Sequence, residues 1–275
     1  MEMDEIIHKF VDTSLFDTEL ELRWNFNFNS AAVPICPRQL MLGLFSGKQD
    51  KKIPFKMRYQ RHMKQAINTL VQEFWGDYLW GDWRCSDINH CGVKYKNTRL
   101  PGGKCIRCGS PAFYEKIVKE QVTGFFGHCD AIVYCEELSG YLVFEIRTRN
   151  SNVLAKATQP YLSEIYQTSM FATLLQQQHW LRVVGRCILW VSSSSFNSYR
   201  LWSYPGTGQD LAEQQFKLKA DLDQKIKEGR VLEVEGRCVT PEDADGCPFA
   251  GICLSPVKDR LIEAEYKEWL IGKGN

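Results

Sequence analysis

At 275 residues, 44% of them hydrophobic and 24% charged, the chain has the composition of a folded protein rather than a disordered one, with room for one large domain or a core domain plus a small inserted module. Its formal net charge of +1 excludes a basic footprint over the whole surface, so any nucleic acid must be held in a local groove. No run approaches the roughly eighteen apolar residues of a membrane span, and the first thirty residues carry acids where a signal peptide needs a basic start, so the expectation is a cytoplasmic protein with no membrane partner.

In chain order, Cys36 comes first, within Pro-Ile-Cys-Pro-Arg-Gln-Leu. Met57, Met63, Ala66, Ile67, Leu70, Val71 and Phe74 recur at helical spacing and predict an amphipathic helix from Phe55 to Gly76. The stretch from Gly81 to Pro111 is rich in Gly, Pro, Asn and Asp, has no apolar period of either kind, and reads as loop. Short β-branched and aromatic runs follow at Gln121 to Phe126, Ala131 to Cys135 and Tyr141 to Arg147. Gly127 and Gly140 punctuate them, which predicts a three-stranded antiparallel meander. Pro160 opens a helix to about Gln178, two strands are expected at Leu181 to Val191 and Tyr199 to Tyr204, and helices at Gln209 to Lys227 and Pro256 to Ile271 complete an α/β layout.

Eleven cysteines in a chain without an export signal, odd in number, favour metal ligation over disulfides. Cys85, Cys91, Cys105 and Cys108 lie in the loop-like stretch and end in Cys-Ile-Arg-Cys-Gly, a knuckle spacing suited to tetrahedral zinc. His90 competes with Cys91 for ligation. A metal there would fold an insertion that lacks a core of its own, and Lys94, Lys96, Arg99, Lys104 and Arg107 make it locally basic, either to hold DNA phosphates or as a solvated loop. Cys36 with Cys238, Cys247 and Cys253 gives a second set of four thiolates, able to hold zinc or an iron–sulfur cluster. Cys129, Cys135 and Cys187 fall in strands and read as packed thiols, and the aromatics between Phe74 and Trp83 read as core or as a stacking surface for bases.

Asp130 starts one expected strand and Glu145 ends its neighbour, so their carboxylates can converge at one end of a sheet. Oxygen ligands of this kind suit Mg²⁺ or Mn²⁺. The plainer reading pairs them with Arg147 or Arg149, and His128, beside Asp130, reads as structural.

The ordered series of Cys36, His62, Gly127-His128-Cys129-Asp130, Glu145-Ile146-Arg147-Thr148, Gln167 and the three late cysteines resembles the PD-(D/E)XK nuclease superfamily. Within it the series is most similar to the RecB-like branch that includes the iron–sulfur exonucleases of CRISPR adaptation and phage exonucleases. The resemblance runs from about residue 34 to 255. It implies a restriction-endonuclease-like core, a mixed central sheet flanked by helices, with a zinc-ribbon insertion. The parts would be a helical segment at 1–80, the ribbon at 81–111, the core at 112–235 and a cysteine-bearing end at 236–275. It also implies a metal-dependent DNA nuclease with Asp130 and Glu145 as Mg²⁺ or Mn²⁺ ligands, His62 assisting, Gln167 positioning DNA or water, and Cys36, Cys238, Cys247 and Cys253 around a 4Fe-4S cluster.

Three positions depart from the family pattern. Arg147 stands where lysine is expected, Phe171 where the ring after the glutamine is usually tyrosine, and the gap between Cys238 and Cys247 is longer than usual. Guanidinium is planar, permanently charged and larger than ammonium, so it stabilises phosphate charge but accepts no proton. A rival expectation is therefore a DNA-binding or assembly subunit of a larger complex that keeps the fold without hydrolysis.

Overall fold

The computed structural model describes residues 36–46, 75–120, 124–192, 198–236 and 249–273. Helix α1 spans Pro37–Ser46. Strands β1 (Trp80–Cys85), β2 (Lys94–Arg99) and β3 (Ala112–Glu115) form one antiparallel sheet in the order β2-β1-β3. Strands β4 (Ile117–Lys119) and β5 (Phe126–His128) pair with each other. The central sheet has the order β6-β7-β8-β9, from β6 (Ala131–Cys135), β7 (Gly140–Arg149), β8 (Val183–Ser192) and β9 (Tyr199–Pro205). Helices α2 (Ser151–Lys156) and α3 (Leu162–His179) link β7 to β8, and α4 (Gln209–Lys227), a single turn α5 (Ala250–Cys253) and α6 (Lys258–Lys273) follow.

The meander expected over 121–147 is corrected. β5 pairs with β4 rather than β6, and β7 pairs antiparallel with β6 but parallel with β8, so the sheet is mixed. The connection explains why: α2 and α3 provide the long crossover that a parallel neighbour requires. Gly140 is needed where β7 begins, because a Cβ there would lie 2.4 Å from Val184 Cγ1 and 2.9 Å from the Arg182 carbonyl. The helices at 162–179, 209–227 and 258–273 agree with the sequence reading, whereas that expected over 55–76 falls almost wholly outside the described residues.

The stretch from Gly81 to Pro111 is likewise not simply loop, since β1 and β2 lie within it. β1 keeps its alternation, with Gly81, Trp83 and Cys85 buried and Arg84 exposed, whereas β2 carries the register shift: Tyr95 to Thr98 oppose Trp83 to Gly81, and Lys96 and Asn97 are both exposed. Nor is its inner face coreless. Trp83, Leu100, Ala112 and Tyr114 pack with Ala131, Phe144, Ile146 and Cys187 of the central sheet. Burying each of the larger side chains stabilises by about 1.5–3 kcal/mol. The opposite face of the central sheet carries Ile132 and Val143 into a second core with α1, α3, α4 and α6. Phe45 of α1 lies against Tyr266 and Trp269 of α6, with ring centroids 5.3 and 5.2 Å away, which brings early and late parts of the chain together.

No helix among the described residues is long and apolar enough to cross a membrane.

Candidate functional site

Strand alternation sends Glu145, Arg147 and Arg149 to the face of β7 that meets α3, while Phe144 and Ile146 enter the core below. Asp130 precedes β6, and the Ile146 backbone N–H donates to its Oδ2 at 2.8 Å, fixing that carboxylate beside β7. Glu145 is fully buried. Gln167 Nε2, reaching down from α3, donates to Glu145 Oε2 at 2.8 Å, and Arg147 Nη2 lies 2.5 Å from Glu145 Oε1 while donating to Gln167 Oε1 at 2.9 Å. Four of the five residues expected to carry catalysis therefore sit together. His62 lies outside the described residues.

Two residues that the sequence reading did not place in the site complete it. Glu164, one turn before Gln167 on α3, is buried and accepts from Trp190 Nε1 at 2.9 Å, from the Tyr161 backbone N–H at 3.2 Å and from Arg149. Arg147 Nε is 3.9 Å from the same carboxylate. The Arg149 guanidinium also lies over the Trp190 ring, 4.5 Å from its centroid. The three-residue spacing of Glu164 and Gln167 was a legible signal, since it puts both on one helix face. Burial opposes the Arg147 charge, but Glu145, Asp130 and Glu164 outweigh it and push the arginine pKa up. For Arg149, burial dominates over Glu164 and the pKa is lowered.

Asp130 and Glu145 thus offer the hard oxygen donors that a divalent cation takes. Their fit is conditional on Arg147, whose guanidinium already engages one Glu145 oxygen and the Gln167 carbonyl.

Phe171 has no part in this chemistry. It is fully buried, with its ring 5.7 Å from that of Phe125 in the helical core. A phenol there would bury a hydroxyl among apolar groups, so Phe171→Tyr is expected to lower stability by about 1–3 kcal/mol, read as a shifted urea midpoint.

Cys85, Cys91, Cys105 and Cys108 form a second cluster, with all four sulfurs within 4.8 Å of one another. The Cys85–Cys108 and Cys91–Cys105 pairs are 3.5 and 3.6 Å apart. Zinc–sulfur bonds of about 2.3 Å in a tetrahedron place sulfurs about 3.8 Å apart, so the set fits a single ion. His90 does not compete, because its exposed ring pairs with Asp87 at 3.0 Å. The knuckle closes through the Gly109 N–H donating to the Cys105 carbonyl, with Gly109 in the left-handed region at φ 74°. The Tyr95 hydroxyl, 3.2 Å from Cys105 Sγ, is the largest influence holding that thiol down at about 6, whereas burial pushes Cys85 up to about 12.

Of the second cysteine set, Cys36 is buried just before α1 and Cys253 ends α5, while Cys238 and Cys247 lie outside the described residues. Cys129 and Cys187 are buried thiols as expected, and Cys135 is half-buried, its sulfur 3.3 Å from Glu137 Oε2. His128 is exposed and pairs with Glu115 at 3.3 Å.

No protein-family model matches the chain, and no curated protein matches it. Among solved structures it is similar to an alkaline exonuclease, LHK-Exo from Laribacter hongkongensis, at 10% identity and a TM-score of 0.40, over 80% of this chain and 99% of that one. The complex of LHK-Exo with dAMP aligns over the same shares at 10% identity and a TM-score of 0.28. A likeness at this level decides nothing about activity, and the chemistry follows from the residues themselves.

Proposed function

We propose that this chain is a metal-dependent deoxyribonuclease of the RecB-like PD-(D/E)XK type, an exonuclease of DNA processing, recombination or phage and mobile-element DNA metabolism. The observation that carries this reading is the convergence of Asp130, just before β6 and anchored on the Ile146 N–H, with Glu145, buried in the middle of the interior strand β7 and held by Gln167 of α3. Asp130 and Glu145 would hold Mg²⁺ or Mn²⁺. Such an ion supplies Lewis acidity toward the scissile phosphate and lowers the pKa of an attacking water. Gln167 orients the Glu145 carboxylate, Glu164 and Arg149 set the position of Arg147, and Arg147 offers a permanent positive charge to phosphate. His62 joins this set on the resemblance alone. The test is end-labelled DNA with Mn²⁺: cleavage by the wild type that vanishes in Asp130→Ala supports the reading, and cleavage untouched by that change overturns it.

In the same reading the β1–β3 sheet with Cys85, Cys91, Cys105 and Cys108 is a zinc ribbon, supported by the sulfur spacing. Cys36, Cys238, Cys247 and Cys253 would hold a 4Fe-4S cluster. This assignment rests on the resemblance, with Cys36 buried before α1 and Cys253 at the end of α5. Anaerobically purified protein should then be brown with broad visible absorbance, and Cys247→Ser should bleach it. Colourless protein carrying two zinc ions per chain would replace iron by zinc in that site.

One observation favours a second reading. Arg147 at 2.5 Å from a fully buried Glu145 closes the carboxylate on the side where a cation would sit. On this reading the chain is a nuclease-fold DNA-binding subunit without hydrolysis, working with other protein subunits.

A further inference from the structure

A cleft of about 560 Å³ is lined from Lys94 on β2, across β1 and β3, to Asp130. We infer that this cleft is a binding site for single-stranded DNA, with a base stacked on Phe113 and phosphates on Arg84, Lys94 and Lys96, delivering the strand to Asp130. The identity of the strand rests on the nuclease reading, but the surface is defined by its own geometry.

Lys94, Arg84 and Phe113 form one row across the three-stranded sheet, since Arg84 is the register partner of both. All three point away from the buried face that carries Trp83 and Tyr114. Phe113 is 61% exposed, which on a strand whose neighbours Ala112 and Tyr114 are buried leaves a flat ring facing solvent at the end of the row, beside Arg84. Base stacking on such a ring requires a base free of its own duplex, so the chemistry selects a single strand. Lys94 and Lys96 are two residues apart on one strand, about 6.8 Å, close to the separation of consecutive phosphates on an extended chain.

The charge balance agrees. Three acids line the cleft with Arg84, Lys94, Lys96 and Lys116: Asp82, 3.8 Å from the buried Lys116, Glu115, 3.3 Å from His128, and Asp130, whose Oδ2 accepts from the Ile146 N–H. Among the described residues, Arg84, Lys94 and Lys96 have no acidic partner. The other basic residues of the ribbon are placed elsewhere: the Arg99 guanidinium lies over the Tyr134 ring at 4.8 Å, and Lys104 and Arg107 do not line the cleft. Of the aromatics that the sequence offered as core or stacking surface, Trp80 and Trp83 are core, Trp75 is half-buried against Phe144 and Tyr78 is exposed but does not line the cleft.

The test is fluorescence anisotropy of a labelled oligothymidylate with the full, zinc-loaded chain in the Asp130→Ala background, which removes turnover from the measurement. Phe113→Ala should weaken binding about tenfold, or 1.4 kcal/mol. Lys94→Ala with Lys96→Ala should lower the slope of log affinity against log salt by about 1.4. Lys217→Ala on the exposed side of α4 should change neither. Affinity and slope unmoved by the cleft variants, or tighter binding of a duplex or of an RNA oligomer, would overturn the assignment. Binding that is insensitive to Phe113→Ala while cleavage depends on Asp130 would remove the cleft and keep the nuclease. Phe113-dependent binding without cleavage would do the reverse.

Discussion

Replacing both Cys105 and Cys108 with serine should remove one zinc equivalent per chain and lower the melting temperature by about 10 °C or more. Structural zinc supplies apparent binding free energies of about 10–16 kcal/mol in small metal-folded domains, and a domain of this size loses about 2–4 °C per kcal/mol. The effect reaches beyond the knuckle because the sheet it staples has only one apolar face. Trp83, Leu100 and Tyr114 are buried against Phe144 and Ile146, on the strand that carries Glu145 and Arg147. Loosening the ribbon therefore uncovers the underside of the strand that carries Glu145 and Arg147, and any Mn²⁺-dependent DNA cleavage, in the wild type or in Arg147→Lys, should fall with the zinc. Metal analysis, a thermal melt and limited proteolysis between Arg99 and Arg107 read the three consequences. Unchanged zinc content in the double variant would remove the metal from this cluster.

Much of this was legible from residue order, and the exceptions have physical causes. The knuckle was visible because Cys105 and Cys108 must be close along the chain to share an ion; Asp130 does precede β6, whereas Glu145, expected at a strand end, lies within β7, which continues to Arg149. β2 was hidden by the extra residue between Tyr95 and Thr98, which breaks the alternation that marks a half-buried strand. The parallel pairing of β7 and β8 was hidden because adjacency across a helix leaves no local trace. The pairing of Glu164 with Arg149 escaped for a related reason, although the three-residue spacing of Glu164 and Gln167 was itself a legible signal. Their partnership spans a strand and a helix fifteen residues apart, and only the packing of α3 on β7 joins them. Phe113 falls in no strand expected from the sequence, and only its register with Arg84 on β1 puts it beside an exposed cation.

Arg147→Lys should raise Mn²⁺-dependent DNA cleavage about tenfold or more over a weak or absent wild-type rate, equivalent to about 1.4 kcal/mol of barrier. In the wild type one guanidinium nitrogen serves both Glu145 and Gln167, at 2.5 and 2.9 Å, while Nε faces Glu164 at 3.9 Å. A planar fork fits three such acceptors, and a lysine ammonium on a shorter reach does not. Lysine therefore releases part of the Glu145 and Gln167 edge and leaves room for a cation and a positioned water. The same variant should lose some stability, because Glu164 keeps only Arg149 as its cationic partner. A gain in rate with a loss in stability is thus the signature of a site closed by its own arginine. Asp130→Ala should abolish cleavage in both backgrounds, since no other described carboxylate is anchored on the Ile146 N–H. Robust wild-type cleavage that Arg147→Lys reduces would instead make the arginine the cation that meets the phosphate. Metal and DNA binding without cleavage in either protein would leave the assembly-subunit reading.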